Sequence, residues 1–377
     1  MKRPDVAFVL PALHGGGVER VYLDLAGGLA AKGLRVDMVL AKAEGAFLPH
    51  MPEGVGLADL GVPRKLRLLR AYGALRAYLQ ERRPRVVVPV WGYLDAVPLW
   101  ASWENGLPVL WVLHNAPAYF RDLPLPKRQV AVWSARWALR RAASHPRTRI
   151  GAVSQGVARA FSLFADIPEA SIKVLPNPIS SERIHLLANE SLPLLPFLGE
   201  DPYWVAVGRL HPQKGFELLI RAFALFSRRY PDSRVHLLLL GEGPQRPRLE
   251  ILIRQLGLQD KVHLLGHVPN PYPYMRRARG LLVASRYEGL GMVVLEALVL
   301  GVPVVATEAE GGLREALGNG SFGLVVPRTL EALAEGMVRL WRGEINLSAQ
   351  TLADHLAVYT LSAAVKAYTN LFEEIWS

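Results

Sequence analysis

Two glutamates with seven residues between them flank a glycine-rich turn in the second half of the chain. Glu288 lies in this turn beside Gly289 and Gly291, and Glu296 interrupts an apolar run with a helical pattern. The first N–H groups of a helix lack partners and the helix dipole is positive there, so a helix that begins at this turn favours a phosphate. Glu296 could accept hydrogen bonds from a ribose diol, and Glu288 could bind a sugar. Alternatively, Glu296 pairs with a basic neighbour and Glu288 is a solvated turn residue.

A loop after the strand predicted at 203–207 carries two cations, Arg209 and Lys214. Arginine offers a planar fork of N–H donors and lysine offers a point charge, and both suit phosphate oxygens. The loop could therefore clamp a diphosphate, or it could be an exposed basic loop without a ligand.

In the first half of the chain, glycines and a histidine follow predicted strands. Gly16 and Gly17 lie between the strand predicted at 6–10 and a helical pattern that extends to residue 31, an order that suits the approach of a phosphate. The loop does not fit G-x-G-x-x-G, which argues against a dinucleotide site. His114 follows the strand predicted at 109–113, at the end where open α/β sheets bind ligands, so we interpret it as a ligand-contacting residue.

Short apolar runs alternate with helical patterns along the whole chain. Around the two glutamates the order is a strand at 281–284, a turn, a helix at 292–300 and a strand at 302–306, which is a unit of a parallel sheet. Strands buried on both faces are expected in an α/β protein in which half of the residues (51%) are hydrophobic. Further strands are predicted at 6–10, 34–41, 86–90, 109–113, 150–153, 172–175, 203–207, 235–240 and 262–265.

The length of 377 residues is sufficient for two domains. Two prolines around Asn177 and a polar, proline-broken stretch up to residue 202 place the boundary near residue 180. We predict domains at 1–180 and 181–355 and a C-terminal helix at 356–377, and a helical pattern extends over residues 352–376. The chain has no cysteine, which excludes a disulfide scaffold, a thiolate nucleophile and a cysteine zinc site.

The net charge of +11 is concentrated in the first half of the chain, where residues 1–180 contain 24 Lys and Arg against 13 Asp and Glu. Such a basic half suggests an anionic partner, namely a membrane surface, a nucleic acid or an acidic substrate. Within the basic segment 64–85, a stripe of Leu68, Tyr72, Leu75 and Leu79 predicts a helix that packs inward. The helix would then turn four basic side chains toward water: Lys65, Arg67, Arg70 and Arg76.

A second basic segment, residues 127–149, has no acidic residue and carries Trp133 and Trp137 four positions apart. If the segment is helical, Arg136, Arg140 and Arg141 flank the tryptophans, an arrangement suited to a membrane interface. A buried tryptophan pair with solvated arginines is equally compatible with the sequence. No stretch of the chain has the length and composition of a membrane span.

Three of these motifs resemble one family. The segment from Glu288 to Glu296 continues as EALVLGVPVVAT, the loop at Arg209 reads GRL and then KGF, and the first glycine loop reads GGxER. Together they resemble retaining glycosyltransferases of family 4. The resemblance implies an α/β protein of the GT-B fold, with two Rossmann-like parallel-sheet domains facing across a cleft and a C-terminal helix that crosses back to the first domain.

The resemblance also implies roles for the residues. His114 would contact the donor sugar, Glu288 the transferred sugar and Glu296 the ribose, while the nucleotide base would lie against the backbone of His267 and Val268. The implied catalytic residues are His114, Arg209, Lys214 and Glu288. The implied donor-binding residues are Gly16, Gly17, Arg209, Lys214, His267, Val268, Glu288, Leu290, Gly291, Met292, Val293 and Glu296.

The expected activity is the transfer of a hexosyl or N-acetylhexosaminyl group from a nucleotide-diphosphate sugar to a glycan or lipid-linked acceptor, with retention of configuration. UDP is a more common donor nucleotide in this family than GDP. The chain has no Asp-x-Asp triplet, which commonly holds a metal in such enzymes, so we expect neither a metal nor a cofactor. The expected location is cytoplasmic, with peripheral binding to the inner face of the plasma membrane. Other interpretations are a nucleotide-sugar epimerase of the same fold and a non-catalytic membrane-surface protein. Nucleic acid is disfavoured because no recognisable binding module accompanies the charge.

Overall fold

The computed structural model describes residues 3–62, 67–90, 96–192, 195, 199–345, 347 and 349–377, without the side chains of residues 67–70 and 349. The chain forms two compact units. The first unit comprises residues 1–179 and 358–377, and the second comprises residues 180–357.

In the part of the chain that the structure describes, the first unit is built on a sheet of seven parallel strands. Their bounds are β1 Val6–Leu10, β2 Val36–Leu40, β3 Gly56–Asp59, β4 Val86–Pro89, β5 Val109–Leu113, β6 Thr148–Ala152 and β7 Ile172–Val174. In space the order is β3-β2-β1-β4-β5-β6-β7, and Val6 of β1 lies opposite Val36 on one side and Val86 on the other. The strand order therefore reverses direction between β1 and β4, which is the position where open α/β sheets bind ligands.

Helices connect these strands and cover the faces of the sheet. Their bounds are α1 Gly17–Ala31, α2 Arg67–Arg82, α3 Ala96–Glu104, α4 Lys127–Ser144 and α5 Gln155–Ala165. In α2, Leu75 and Leu79 are fully buried, as the predicted inward stripe requires, and Arg76 is exposed and pairs with Glu104. Tyr72 of the predicted stripe is half-buried, and its hydroxyl donates a hydrogen bond to Glu104. Lys65 lies outside the described residues, as do the side chains of Arg67, Leu68 and Arg70.

The second unit has the same plan, and its described residues form a main sheet of six parallel strands. Its strands are β8 Tyr203–Val207, β9 His236–Leu240, β10 Val262–Gly266, β11 Leu281–Val283, β12 Tyr287–Glu288, β13 Val304–Thr307, β14 Glu310–Gly311 and β15 Leu324–Val326. Its helices are α6 Ser181–Ala188, α7 Phe216–Arg229, α8 Arg246–Gln255, α9 Tyr272–Arg277, α10 Met292–Val299, α11 Leu313–Ala316, α12 Leu330–Trp341 and α13 Ala349–Ala357. The main sheet has the order β10-β9-β8-β11-β13-β15, and β12 pairs separately with β14. Its direction reverses between β8 and β11.

One face of this second sheet carries a large apolar core. Trp204 of β8 is fully buried against Phe223 and Phe226 of α7, with ring centroids 6.0 and 4.8 Å away. Helix α7 packs in turn against α8 and α12, whereas α10 packs against α6, α11 and α13. The second unit therefore has one group of helices around α7 and another around α10.

The C-terminal stretch forms two helices, not the single helical stretch predicted at 352–376. Helix α13 ends at Ala357, and the last helix, α14 Leu361–Trp376, begins after Thr360, whose hydroxyl accepts a hydrogen bond from the Ala363 N–H at 3.3 Å. This hydroxyl offers an alternative partner to the backbone, which is why threonine favours such a helix start. Helix α14 packs on α1 of the first unit. Gly28 of α1 allows this packing, because a β-carbon there would lie only 2.6 Å from a methyl group of Val365.

The expected fold class is confirmed: two Rossmann-like units with parallel sheets, and a C-terminal helix that returns to the first unit. Among the described residues, no helix combines the length and the hydropathy that crossing a bilayer requires.

Candidate functional site

The predicted donor-binding residues of the second unit lie mainly in two loops at the point where the strand order reverses. One loop follows β8 and contains Arg209 and Lys214, and the other follows β11 and contains Glu288. Because β8 and β11 are hydrogen-bonded neighbours, the two loops emerge side by side from the carboxyl edge of the sheet. The strand order thus brings together residues that are 74 positions apart in the sequence.

Lys214 and Glu288 are in direct contact. The ammonium group of Lys214 donates a hydrogen bond to Oε1 of Glu288 at 2.6 Å, and the hydroxyl of Ser285 donates to the same oxygen at 2.7 Å. The ion pair is largely withdrawn from water, since 22% of the Lys214 side chain and 10% of the Glu288 side chain are exposed. Glu288 is therefore not a solvated turn residue.

Backbone contacts hold the two loops against each other. The Arg286 N–H donates to the carbonyl of Gln213 at 2.7 Å, and the Gln213 side chain donates to the carbonyl of Tyr287 at 3.1 Å. Gly215 has a φ of +66° and a β-carbon there would lie 2.0 Å from the carbonyl oxygen of Ala284, so this position requires glycine. These contacts fix the backbone on which both members of the ion pair are carried.

Arg209 lies in the same loop as Lys214 but is exposed. Among the described residues, no side chain forms an ion pair or a hydrogen bond with its guanidinium group. Arg209 is thus an exposed cation without a described counter-charge near the carboxyl edge of the sheet, and its role in binding a diphosphate stays a prediction.

Glu296 is half-buried on α10 and accepts a hydrogen bond from the Tyr272 hydroxyl at 3.4 Å. Burial raises the pKa of Glu296 to about 7, and the hydrogen bond from Tyr272 and the charge of Lys214 act in the opposite direction. No described basic side chain forms an ion pair with Glu296, so the alternative that it is a paired acid does not hold for the part of the chain that the structure describes.

The first turn of α10 lies between the two glutamates in the sequence. Gly291 caps the helix in the left-handed conformation, with a φ of +84°, and Leu290 is buried beneath it. Met292 and Val293 in the first turn are half-buried. An α-helix leaves its first N–H groups without intrahelical partners, so this turn offers donors to an anion.

The two residues predicted to lie near a nucleotide base follow β10, at the same edge of the sheet. His267 is exposed and Val268 is half-buried. The side chain of His267 has no described hydrogen bond, and the role of both residues stays a prediction.

In the first unit, the predicted glycine loop follows β1 and begins α1. The carboxylate of Glu19 accepts hydrogen bonds from the N–H groups of Gly15 and Gly16, at 2.7 and 3.2 Å. Gly17 is the first residue of α1. The amides of Gly15 and Gly16 are therefore satisfied by Glu19, and the role of this loop toward a ligand stays a prediction.

His114 follows β5, and its Nε2 lies 2.7 Å from the hydroxyl of Tyr22 on α1. Burial lowers the pKa of His114 to about 3, so the ring is neutral at pH 7. Its Nδ1 atom is buried without a hydrogen-bond partner among the described residues. A cavity of about 370 Å³ beside His114 is lined mainly by apolar side chains of this unit. The neutral ring therefore acts as a hydrogen-bonding group and not as a cation.

Sequence reasoning missed three residues that contact the predicted ones. These residues are Tyr22, Ser285 and Tyr272, which contact His114, Glu288 and Glu296 respectively. Ser285 is three positions before Glu288 in the same turn, so its proximity could have been read from the sequence. Tyr22 and Tyr272 are 92 and 24 residues from their partners, and no local pattern indicates those contacts.

Among the described residues, no group of three or more His, Asp and Glu side chains is arranged to hold a metal ion.

Family models match both units of the chain. Residues 15–183 match the model described as Glycosyltransferase Family 4, and residues 201–343 match the model described as Glycosyl transferases group 1.

Curated relatives match part of the chain. An N-acetylgalactosaminyltransferase of Campylobacter jejuni, which acts on N-acetylgalactosamine-N,N'-diacetylbacillosaminyl-diphospho-undecaprenol, is 38% identical over 154 residues, which are 41% of this chain and 40% of the relative. The alpha-D-kanosaminyltransferase of Streptomyces kanamyceticus is 35% identical over 187 residues, which are 47% of each chain. The chain thus matches less than half the length of these curated relatives.

Solved structures match nearly the whole chain. HepE of Anabaena in complex with UDP has a TM-score of 0.74 at 21% identity and covers 99% of this chain and 100% of its own. Sucrose-phosphate synthase of Thermosynechococcus elongatus has the same TM-score and identity, with 99% of each chain covered. By its fold and by the sequences of both units, the chain is related to the glycosyltransferases of the GT-B fold.

Proposed function

We propose that the protein transfers a hexosyl or N-acetylhexosaminyl group from a nucleotide-diphosphate sugar to a lipid-linked or polysaccharide acceptor, as a retaining glycosyltransferase of family 4. The observation that carries this proposal is the 2.6 Å contact between Lys214 and Glu288, beside the unpaired Arg209. A cation for phosphate oxygens and a carboxylate for sugar hydroxyls thus stand next to each other, as the phosphate and the transferred sugar do in such a donor.

Each part of the donor has a matching group in the second unit. Arg209, Lys214 and the first turn of α10 bind the diphosphate, Glu288 binds the transferred sugar, and Glu296 binds the ribose hydroxyls. UDP is the preferred nucleotide in this proposal, and the UDP complex of HepE, a protein of similar fold, supports it. His114 and the loop of Gly16 and Gly17 contribute to the donor from the first unit, as the family resemblance implies.

Charge on the departing diphosphate is neutralised by protein groups and not by a metal. Arg209 and Lys214 supply two positive charges, and fixed cations of this kind lower the barrier because they need no rearrangement as charge develops. The acceptor hydroxyl attacks from the face that the diphosphate leaves, and the leaving phosphate takes the proton of that hydroxyl. The configuration of the sugar is thereby retained.

A thermal-shift screen of UDP, GDP and ADP tests the donor assignment, followed by turnover with the matching nucleotide sugars. A nucleotide at a hundred times its dissociation constant adds roughly 2.7 kcal/mol of stability. Turnover should be the same in excess EDTA as with magnesium, and the product should keep the anomeric configuration of the donor. A loss of turnover that magnesium restores would refute the metal-free mechanism.

Arg209→Ala tests whether the loop of Arg209 and Lys214 binds the diphosphate, and Arg228→Ala is the matched control. Arg228 is an exposed arginine in the last turn of α7 without a described partner. We expect Arg209→Ala to lower turnover by about 10²–10³-fold, the effect of removing one electrostatic stabiliser, with little change in melting temperature. Equal turnover of the two variants with every donor would remove Arg209 from the mechanism.

A nucleotide-sugar epimerase is the competing enzyme class, and it predicts that the donor is converted without any acceptor. A non-catalytic binding protein predicts nucleotide binding without turnover of any donor. Product analysis with and without acceptor distinguishes all three.

We further propose that helix α4 binds an anionic lipid bilayer. Large apolar side chains are exposed on this helix and beside it, and we call them the α4 surface: Trp100, Leu125, Val130, Trp133 and Trp137. Trp133 is 70% exposed and Trp137 is 41% exposed, so the alternative of a buried tryptophan pair is wrong.

Positive charge accompanies these apolar side chains. Residues 127–149 hold seven Lys and Arg and no acid, and Arg136 and Arg140 donate to the carbonyls of Phe164 and Ala165 at the end of α5. Each basic residue near an anionic surface contributes about 1 kcal/mol, and tryptophan favours the headgroup region. Such binding would bring the protein to a lipid-linked acceptor.

Co-sedimentation with vesicles that contain phosphatidylglycerol tests this proposal. Binding should weaken with added salt and should drop in Trp133→Ser and in the double variant Lys127→Ser/Arg141→Ser. The matched controls are Leu186→Ser, which removes a side chain that is 70% exposed in the second unit, and Arg228→Ser/Arg277→Ser. Equal binding of the α4 variants and the controls would contradict the assignment to α4.

A further inference from the structure

A pocket of about 520 Å³ in the second unit is lined by four arginines. Arg221 is on α7, Arg248 is on α8, Arg286 is in the turn after β11, and Arg328 lies between β15 and α12. We call it the arginine pocket. It borders α7 and α8, whereas Glu296 is on α10 in the other group of helices.

The positive charge of the arginine pocket is only partly neutralised. Glu217 is the acid in its lining and binds two of the arginines, Arg221 at 3.3 Å and Arg248 at 2.9 Å. Arg286 and Arg328 form no ion pair or side-chain hydrogen bond with any described residue. The lining thus has four positive charges and one negative charge, which is an excess of three.

The two unpaired arginines are held near each other by the fold. The backbone of Arg286 donates to the Gln213 carbonyl at 2.7 Å and accepts from the Glu310 N–H at 3.3 Å. The guanidinium group of Arg328 lies against Gly215, with Nη2 3.2 Å from the place of a β-carbon there. Burial, and next the charge of Arg286, lower the pKa of Arg328. Like charges at this proximity repel, and an anion between them would remove the repulsion.

We propose that the arginine pocket binds a small anion carrying two or more phosphate groups, at a site separate from the donor site. Two guanidinium groups without counter-charges can each form paired hydrogen bonds with phosphate oxygens, which a lysine pair could not do. Gly215 also caps α7 at its N-terminus and forms part of the lining, so the first turn of this helix of 14 residues adds N–H donors. The inference rests on these residues and is independent of the proposed transferase activity.

Calorimetric titration with inorganic tripolyphosphate in magnesium-free buffer tests the arginine pocket. The test variant is Arg286→Gln/Arg328→Gln, and the matched control is Arg228→Gln/Arg277→Gln, which removes two exposed charges elsewhere in the same unit. We expect the test variant to bind tripolyphosphate at least tenfold more weakly than wild type, and the control to differ from wild type by less than twofold. Affinity of the wild type should fall with added salt.

A parallel titration with UDP separates this site from the donor site. The test variant should bind UDP within twofold of wild type, because its substituted arginines are outside the predicted donor clamp. Equal tripolyphosphate affinity of the test variant and the control would overturn the proposal, as would a loss of UDP affinity equal to the loss of tripolyphosphate affinity. Failure of UDP to bind any of the proteins would instead refute the proposed donor and would leave the comparison with tripolyphosphate intact.

Discussion

Removing Lys214 should destabilise the second unit more than removing Lys214 and Glu288 together. Lys214→Met leaves the Glu288 carboxylate buried with only the Ser285 hydroxyl as a described side-chain partner. The double variant Lys214→Met/Glu288→Gln leaves no charge at either position of the pair. The difference in the free energy of unfolding between the single and the double variant therefore measures the cost of leaving Glu288 without Lys214.

The size of the effect follows from the geometry. At 2.6 Å between Nζ and Oε1, two unit charges attract by roughly 6 kcal/mol at an effective dielectric constant of about 20. Loss of hydration offsets much of this attraction, but breaking a buried pair by removing one partner costs roughly 3–5 kcal/mol. We expect about 3 kcal/mol for Lys214→Met, since Ser285 still donates to Glu288. The double variant should lose about 1–2 kcal/mol. If Glu288→Gln alone also loses about 1–2 kcal/mol, the coupling energy of the pair is about 3 kcal/mol.

Amide hydrogen exchange in increasing urea measures these stabilities for the second unit separately. Peptides that cover β11 report the opening of this unit, because its strand amides exchange only when the sheet opens. Ser171→Ala is the matched control: Ser171 is a hydroxyl donor in the first unit, and its loss should leave β11 unchanged. A double variant less stable than Lys214→Met, or single effects that add within about 0.5 kcal/mol, would show that the pair is not coupled.

Three further predictions concern the same groups. The pKa of Glu296 is raised in the folded state, so the stability that this group contributes below pH 4.5 is lost as the pH rises through about 7. Urea unfolding should therefore show that Glu296→Gln is more stable than wild type at pH 8 but not at pH 4. Burial lowers the pKa of His114 to about 3, so the neutral ring contributes its full stability above about pH 6.5. This stability is lost as the pH falls toward 3, by up to about 1.4 kcal/mol per pH unit. In His114→Asn, the free energy of unfolding should therefore depend less on pH between 6.5 and 3. Calorimetry should show that Glu288→Gln binds UDP at least as tightly as wild type, whereas Lys214→Met binds it more weakly; equal losses would contradict the division of roles.

Most strands of the two main sheets could be predicted because their apolar runs are short and bounded by turn residues, but β3 and β15 were not predicted. β1, β5 and β8 have the predicted bounds, and most other strands differ by one or two residues at an end. The strand at 56–59 was not predicted, because its residues alternate between half-buried and exposed and contain only one large apolar side chain, Leu57. The break at Thr360 was missed because the apolar positions on both sides of it fit one continuous helical pattern.

The site was predicted as a set of residues but not as a set of contacts. Arg209, Lys214 and Glu288 could be named from their loops, and the strand order then determines that the loops are neighbours. The ion pair itself depends on the direction of two side chains that are 74 residues apart, which no local pattern encodes. The raised pKa of Glu296 likewise depends on burial by several elements, which the sequence of α10 alone does not reveal.

The Lys214–Glu288 pair has a consequence for the proposed donor, because without a ligand the cation is already engaged. A diphosphate must compete with a carboxylate for Lys214, whereas Arg209 is exposed and has no described partner. Arg209 should therefore make the first contact with the diphosphate, and Lys214 should shift toward the phosphate only as the sugar hydroxyls replace it at Glu288. A free nucleotide brings no sugar to Glu288, so it gains less from Lys214 than the complete donor does. This exchange of partners favours the complete nucleotide sugar over the free nucleotide that remains after transfer.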